Sequence, residues 1–445
     1  MKKLAVFLGF MLCLLMMSAC AGTTDQQQTT TVNAPQASKE NEKEAPSATS
    51  NEPVEMILSS HIPINEEFDR LYIEPMKEAL PHITLNVVPG VSLADIDQYI
   101  ASGQTPDLYI TYNGNIPEFF KRDMSYDMAE EFKKHNIDLS RFQENYMDDI
   151  RYAVVGEEGL YGLPFSTTFH ALYYNKAIFD KFGVSYPTDG MNWDEAIELA
   201  AKVTRFEDGM QYRGFDFNDI TRLAQPLGLV YVDMETEKAN VTTEEWLKVF
   251  QLGLRFASIP GNEPHAESKY NGIGGFMHTQ NIAMYMDINR FSELAAAEDL
   301  DWDVVQHPYY DEQPNTFGNA SVYFIGASQT TKHIDAAIQV IDFFTSDEVQ
   351  MNVSKTGYVS PLKSEEVKAV FASDNPLLEG KNVTGVLKSR PVQYPIYLYR
   401  SLSEQIIRAK FKEVLSGTLD PNTALKQAEE EIDQAIEVEK RAQNN

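Results

Sequence analysis

VEMILSSHIPINEEFDRLYIEPMKEALPHITLNVVPGVSLADIDQYIASGQTPDLYITY, residues 54–112, decides the fold class. VEMILSS (54–60), ITLNVV (83–88) and DLYITY (107–112) are short runs of strand-forming residues, and Ile83, Leu85 and Val87 alternate in the second. Between the first two lies NEEFDRLYIEPMKEAL, with Phe68, Leu71, Tyr72 and Ala79 at helical spacing. Pro75 lacks the N–H that a helix interior needs, so this helix is expected to bend or split there. LADIDQYIASG (93–103) predicts a short helix ended by Gly103. The order β-α-β-α-β in so short a stretch implies parallel strands with right-handed crossovers. Ligands of such sheets bind beyond the carboxyl ends of the strands. Those ends place Ser59, Ser60 and His61 beside Asn113, Gly114 and Asn115.

A second α/β unit starts near residue 170. FHALYYNKAIFDKFGV (169–184) reads as a strand running into a helix. In NWDEAIELAAKVTR, Asn192 and Glu195 have capping-box spacing, and Trp193, Ala196, Ala200 and Val203 form an apolar stripe. NIAMYMD (281–287) and SVYFIGAS (321–328) are strands. KHIDAAIQVIDFFTSDEVQ (332–350) is an amphipathic helix. Asp420 caps a last helix with Pro421 at its first position and Leu425, Ala428, Ile432 and Ile436 on one face.

Upstream, Lys2 and Lys3 precede an uncharged apolar run from Leu4 to Ala19, the layout of a secretory signal. MSAC (17–20) resembles the bacterial lipobox, with Met17 in place of the usual leucine. That resemblance implies cleavage at 1–19 and acylation of Cys20. An ordinary signal whose cysteine is incidental is the alternative. Residues 20–52 carry no aromatic and one branched aliphatic residue, Val32, so they cannot bury enough apolar surface to offset their ordering entropy. They read as a disordered tether. Cys13 and Cys20 are the two cysteines of the 445 residues, so no disulfide framework or thiolate metal site is expected.

The formal charge of −29 argues against a nucleic-acid partner, which needs a basic footprint, and against direct adhesion to anionic lipid. Membrane attachment would rest on acyl chains. No H-E-x-x-H, phosphate loop or G-x-S-x-G elbow occurs. No metal, cofactor or catalytic residue is expected.

Four segments in order resemble the family 1 extracellular solute-binding proteins of ABC importers. They are GLYGLPFSTTFHALYYNKAIFDKFGV with NWDEAIELA; TPDLYI; FGNASVYFIGASQTTKHIDAAIQVIDFFTSDEVQ with GYVSPL; and EVLSGTLDPNTALKQAEEEIDQAI. The resemblance implies an α/β, two-lobed periplasmic-binding-protein fold of type II. Each lobe would be a mixed sheet flanked by helices, and a hinge crossed three times would join them. Lobe 1 would hold 53–164 plus 316–352, and lobe 2 would hold 165–315 plus 353–445. Hinge positions would lie at Pro164, near Phe317 and near Ser360. A monomer would capture a carbohydrate, expected to be an oligosaccharide, in the cleft and deliver it to ABC permease subunits at the extracytoplasmic face of the cell membrane. A non-sugar or acidic solute, a surface sensor or adhesin, and a glycoside-active enzyme are the competing readings.

Sugar recognition needs aromatic plates and amide, carboxylate or guanidinium groups, and aromatic residues make up 11% of the chain. The resemblance places polar ligands at Asn113 and Asn115, though Asn-Gly is also a turn signal. Phe165 and Thr168 follow the crossover proline, with Thr168 where the family often has a carboxylate. Phe215 and Phe217 match a loop that supplies stacking aromatics; alternating phenylalanines fit a core-packed strand equally well. Asp287 and Arg290 stand where the family often has a tryptophan. Asn319 lies in a crossover. Tyr394, Tyr397 and Tyr399 fall near a last stacking aromatic, of which Tyr397 is selected. His61 completes the set, with a surface histidine beside a strand as its alternative. Tyr174, Asn175 and Trp193 are expected to be structural.

Overall fold

In the computed structural model, the described residues are 52–62, 64–88, 92–154, 156–297, 299–393 and 399–443. The signal segment, Cys20 and nearly all of the tether lie outside them, as do Tyr394 and Tyr397.

The stretch 54–112 forms three parallel strands, β1 (Val54–Ser60), β2 (Ile83–Val88) and β3 (Leu108–Tyr112), with β1 between the other two. The helix before Pro75 contains a π-helical turn, Asp69–Ile73, and α-helix resumes at Glu74–Ala79. The wider turn accommodates the proline ring against the preceding carbonyls, so the helix stays continuous over 66–79 and carries its irregularity just before Pro75 instead of splitting there. Helix Leu93–Ala101 carries a Ser92/Asp95 capping box, and Gly103 leaves it at φ +73°.

β4 (Leu163–Thr167) and β5 (His170–Asn175) are separated by two residues and belong to different sheets. A small hairpin follows from β6 (Arg205–Glu207) and β7 (Met210–Tyr212). β8 (Met284–Ile288) and β9 (Trp302–Gln306) flank β5 antiparallel. Isolated parallel bridges at Arg213–Ile282 and Asp216–Tyr285 extend this second sheet. β10 (Thr316–Asn319) leads into β11 (Val322–Ala327), which returns to the first sheet between β3 and β4, antiparallel to both. β12 (Arg390–Val392) pairs with β10. The first sheet therefore has the order β2-β1-β3-β11-β4, and the second β8-β5-β9.

Two apolar cores accompany the sheets. The first includes Met56, Leu58, Tyr109, Leu163, Phe165, Phe324, Ile341 and Phe344. The second includes Leu172, Trp193, Phe215, Phe250, Met286, Phe411 and Ile432. β5 has side chains in both: Ala171 and Tyr173 in the first, Leu172 and Tyr174 in the second, which is the two-residue period of a strand. Helix Asp347–Lys355 runs uninterrupted through position 352, where the sequence reading changes lobe, and Val353 remains in the first core. The expected caps form at Asn192–Glu195 and Asp420, and the apolar face of Pro421–Gln443 is buried.

The passage from β4 to β5 is pinned to the passage from β10 to β11. Thr168 N–H donates to the Ser321 carbonyl at 3.0 Å, and Ser321 N–H donates to Thr168 Oγ1 at 2.8 Å. Two of the chain's crossings between sheets thus lie side by side.

Candidate ligand-binding cleft

The carboxyl end of β3 turns into a 3-10 helix, Asn113–Asn115. Its backbone forms the wall of a cavity of about 1450 Å³. Tyr112, Asn113, Asn115, Asp149 and Tyr152 line one side, and Tyr399, Arg400 and Glu404 line the other. A smaller cavity of about 270 Å³ adjoins it, sharing Tyr112, Arg400 and Glu404. His170, Arg222, Gln225, Asn319 and Tyr323 stand around this deeper floor. Strand ends from the first sheet and helical segments that pack on the second thus face one another across it.

Several buried polar atoms here have no partner among the described residues: Asn113 Nδ2, Gln225 Oε1 and Asn319 Oδ1. Each side chain lines one of the two cavities. Asn113 is held in place because its Oδ1 accepts from the N–H groups of Gly114 (3.1 Å) and Val322 (3.2 Å), so its Nδ2 is the group left over. A desolvated polar group without a partner costs about 1–3 kcal/mol, so these atoms are prepared for an incoming donor or acceptor. Gly318, at φ +107°, lets the backbone approach Gln225: a Cβ there would stand 2.9 Å from the Gln225 Cβ.

The floor is polar and charged. Arg400 is bound by Glu404 (2.8 Å), and Arg408 by Glu404 (2.9 Å) and Asp219. His170 is fully buried between Phe317 and His307, and burial, then the charge of Arg222, holds its pKa well below the ordinary value. Tyr112 and Tyr323 meet edge to face at 6.5 Å. Burial raises the Tyr323 pKa, and both rings offer apolar faces with a hydroxyl at one end.

Residues 66–351 match the family described as bacterial extracellular solute-binding protein. The chain belongs to that family. An arabinooligosaccharide-binding protein of Halalkalibacterium halodurans is 27% identical over 306 residues, 63% of this chain and 66% of that protein. A Brucella abortus (strain 2308) protein named as a binding protein is 34% identical over 143 residues, and the match spans 32% of its length and 30% of this chain. An ABC substrate-binding protein of Listeria monocytogenes, solved in complex with cycloalternan, superposes with a TM-score of 0.69 at 18% identity, over 86% of this chain and 99% of that one. The likeness establishes the two-lobed, type II fold for this solute-binding protein.

Within the solute-binding protein, the expected site residues divide into two groups. Asn113 and Asn115 line the large cavity, with Asn115 Nδ2 donating to Thr111 Oγ1 at 3.1 Å, and Asn319 lines the floor. His61 lies behind Tyr112, ring centroids 6.4 Å apart, and lines neither cavity. Phe165 is a correction: its ring packs edge-on against Tyr72 and Phe344 in the first core. The register of β4 shifts opposite Tyr323 and Phe324, and this irregularity skips Phe165 in the pairing. Thr168 is likewise withdrawn from the cleft by its bond to Ser321. Phe215 stacks on Phe256 at 4.3 Å in the second core. Phe217 packs against Phe256 and Phe411, so the core-strand alternative holds for this pair. The two phenylalanines border a separate groove of about 720 Å³, which Arg290 also lines.

Asp287 has a fully buried side chain and is saturated: Oδ2 accepts from Tyr285 (2.7 Å) and Arg290 Nε (2.9 Å), and Oδ1 from the Ile288 N–H (2.9 Å). Arg290 also binds Glu293 at 2.8 Å. Both therefore serve the lobe's own structure. Tyr397 lies outside the described residues; Tyr399, at φ +50°, lines the large cavity.

Sequence reasoning missed His170, Arg222, Gln225 and Arg400. His170 carried a signal, a histidine at the start of an otherwise apolar strand. Arg222 and Gln225 sit on the short helical segments Ile220–Ala224 and Gln225–Leu227, whose periodicity is too brief to read. Among the described residues no helix is long and apolar enough to cross a membrane, and no cluster of side chains suits a metal ion.

Proposed function

We propose that this solute-binding protein captures a carbohydrate, an oligosaccharide in particular, between its lobes and delivers it to the permease subunits of an ABC transporter. The observation that carries the reading is the pair of adjoining cavities lined by tyrosines and by amide groups with unpartnered atoms. Sugars offer the two matching features, an apolar ring face and a rim of hydroxyls that donate and accept. The arabinooligosaccharide-binding relative and the cycloalternan complex support the same ligand class. Lobe 1 (53–164 plus 316–352) and lobe 2 (165–315 plus 353–445) would close around the sugar as a monomer. Binding would proceed without covalent change to the ligand.

Anchoring belongs to the same proposal. Acylated Cys20 would hold the protein on the extracytoplasmic face of the cell membrane, with residues 20–52 as a tether. The full chain expressed in a bacterium and labelled with an alkyne fatty acid is expected to carry label. Cys20→Ala is expected to lose it and release the protein into the medium; equal labelling of the variant would overturn the anchor.

Ligand class is tested by thermal shift followed by calorimetry with arabino-, gluco-, manno- and galacto-oligosaccharides. A ligand present at about 100 times its Kd adds about 2.7 kcal/mol to stability, a clear rise in melting temperature. Absence of any shift across neutral and acidic oligosaccharides would refute carbohydrate capture.

A further inference from the structure

The four arginines nearest the floor are not equally satisfied. Arg290 is bound by Asp287 and Glu293, and Arg400 and Arg408 share Glu404 and Asp219. Arg222, whose side chain is 25% exposed in the floor cavity, reaches a carboxylate only at 3.8 Å, on an Asp287 already engaged by Tyr285, Arg290 and the backbone. No hydrogen bond from its guanidinium is present among the described residues. Five donors on a planar fork therefore face a small cavity where Gln225 Oε1 and Asn319 Oδ1 also lack partners.

We propose that this floor is a terminal subsite for one uronic acid, whose carboxylate Arg222 binds while its hydroxyls donate to Gln225 and Asn319. The proposal rests on carbohydrate capture in the cleft and sharpens its substrate class. Guanidinium matches a carboxylate through two parallel N–H···O bonds, the arrangement for which arginine is best suited. A neutral hydroxyl would use fewer of the free donors.

Charge limits the ligand to a single acid group. The larger cavity presents five carboxylates, Asp148, Asp149 and Glu439 among them, against the cations Lys121 and Arg400. A polyuronate would set its remaining charges against that wall. The fitting ligand is a neutral oligosaccharide capped by one uronate, entering acid end first.

The test is calorimetry on the whole mature protein with uronate-capped oligosaccharides of the xylo, gluco, galacto and manno series. Each is compared as the free acid, as its methyl ester and as the neutral oligomer of equal length. The expected result is at least one series in which the acid binds about tenfold or more tighter than its ester, equivalent to about 1.4 kcal/mol. Arg222→Gln should abolish that difference while ester affinity changes little, and Arg222→Lys should retain part of it. Melting temperatures of the unliganded variants check folding. If neutral oligomers or esters bind as tightly as every acid, or if Arg222→Gln weakens acid and ester alike, the uronate subsite is overturned and carbohydrate capture stands. If nothing in any series binds, carbohydrate capture fails and the subsite with it.

Discussion

Lowering the pH from 7 to 5 is expected to remove about 2 kcal/mol from the folding free energy through His307, with His170 acting in the same direction. His307 is fully buried, and its Nδ1–H donates to the Pro308 carbonyl at 2.6 Å, leaving Nε2 without a partner among the described residues. Burial, with Arg222 adding to it, pushes its pKa down to about 3 from 6.5. The neighbouring His170 is depressed in the same direction. His307 therefore remains neutral in the folded protein at pH 5, whereas the unfolded chain takes up a proton there below about 6.5. The unfolded state then binds more protons, so stability falls as the pH falls. The loss begins near the unfolded value and continues toward the depressed folded ones. At pH 5 it amounts to about 2 kcal/mol for His307. This window lies above the range in which ordinary carboxylates protonate. Urea unfolding at the two pH values measures the difference. His307→Gln should remove most of that loss and His170→Gln should reduce the pH dependence further, and a wild-type free energy unchanged between pH 7 and 5 would contradict the assignment.

Asp287→Ala is expected to cost about 1–3 kcal/mol of stability, because it leaves the buried Tyr285 hydroxyl and two partly exposed cations without their carboxylate rather than removing a ligand contact. The carboxylate holds Arg290, faces Arg222 and accepts from Tyr285. Burial opposes the charge on Arg290, and Asp287 and Glu293 more than restore it, raising its pKa. Without Asp287, Arg222 also loses the one carboxylate that its guanidinium reaches among the described residues, at 3.8 Å. Urea denaturation reads the loss, and Asp287→Asn should recover part of it by keeping an acceptor for Tyr285. A variant of unaltered stability with weakened sugar binding would return Asp287 to the ligand.

The architecture was legible where periodicity was long or punctuation strong. The three parallel strands of 54–112, the Asn192 cap, the helical irregularity before Pro75 and the last helix all form as their residues dictate. The family motifs extended this to the second lobe. The site was legible only in part. Asn113, Asn115 and Asn319 are polar residues at strand ends, and Asn113 and Asn319 each keep an amide atom without a partner among the described residues. Phe165 and Phe215 misled because an aromatic beside a crossover satisfies a core as readily as a cleft, and a local shift of register decides between them. Asp287 misled because a carboxylate after a strand looks available until its neighbours are in place. Arg222 escaped notice because its importance lies in the partners that three other arginines take, and no local pattern reports that.

The place of β11 between β3 and β4 has a consequence for how the chain is made. The first sheet cannot close when its first four strands have been synthesised, since the strand that joins β3 to β4 begins at Val322, more than 150 residues after Thr167. At about 5–20 residues per second, that is a wait of roughly 10–30 s. Long-range pairing of this kind is also slow to form. During that interval the amino-terminal part has no complete sheet to fold into. For a member of an extracellular family, late closure is useful. It keeps the first sheet open through much of synthesis, as export of an unfolded chain would require, and β11 closes that sheet late.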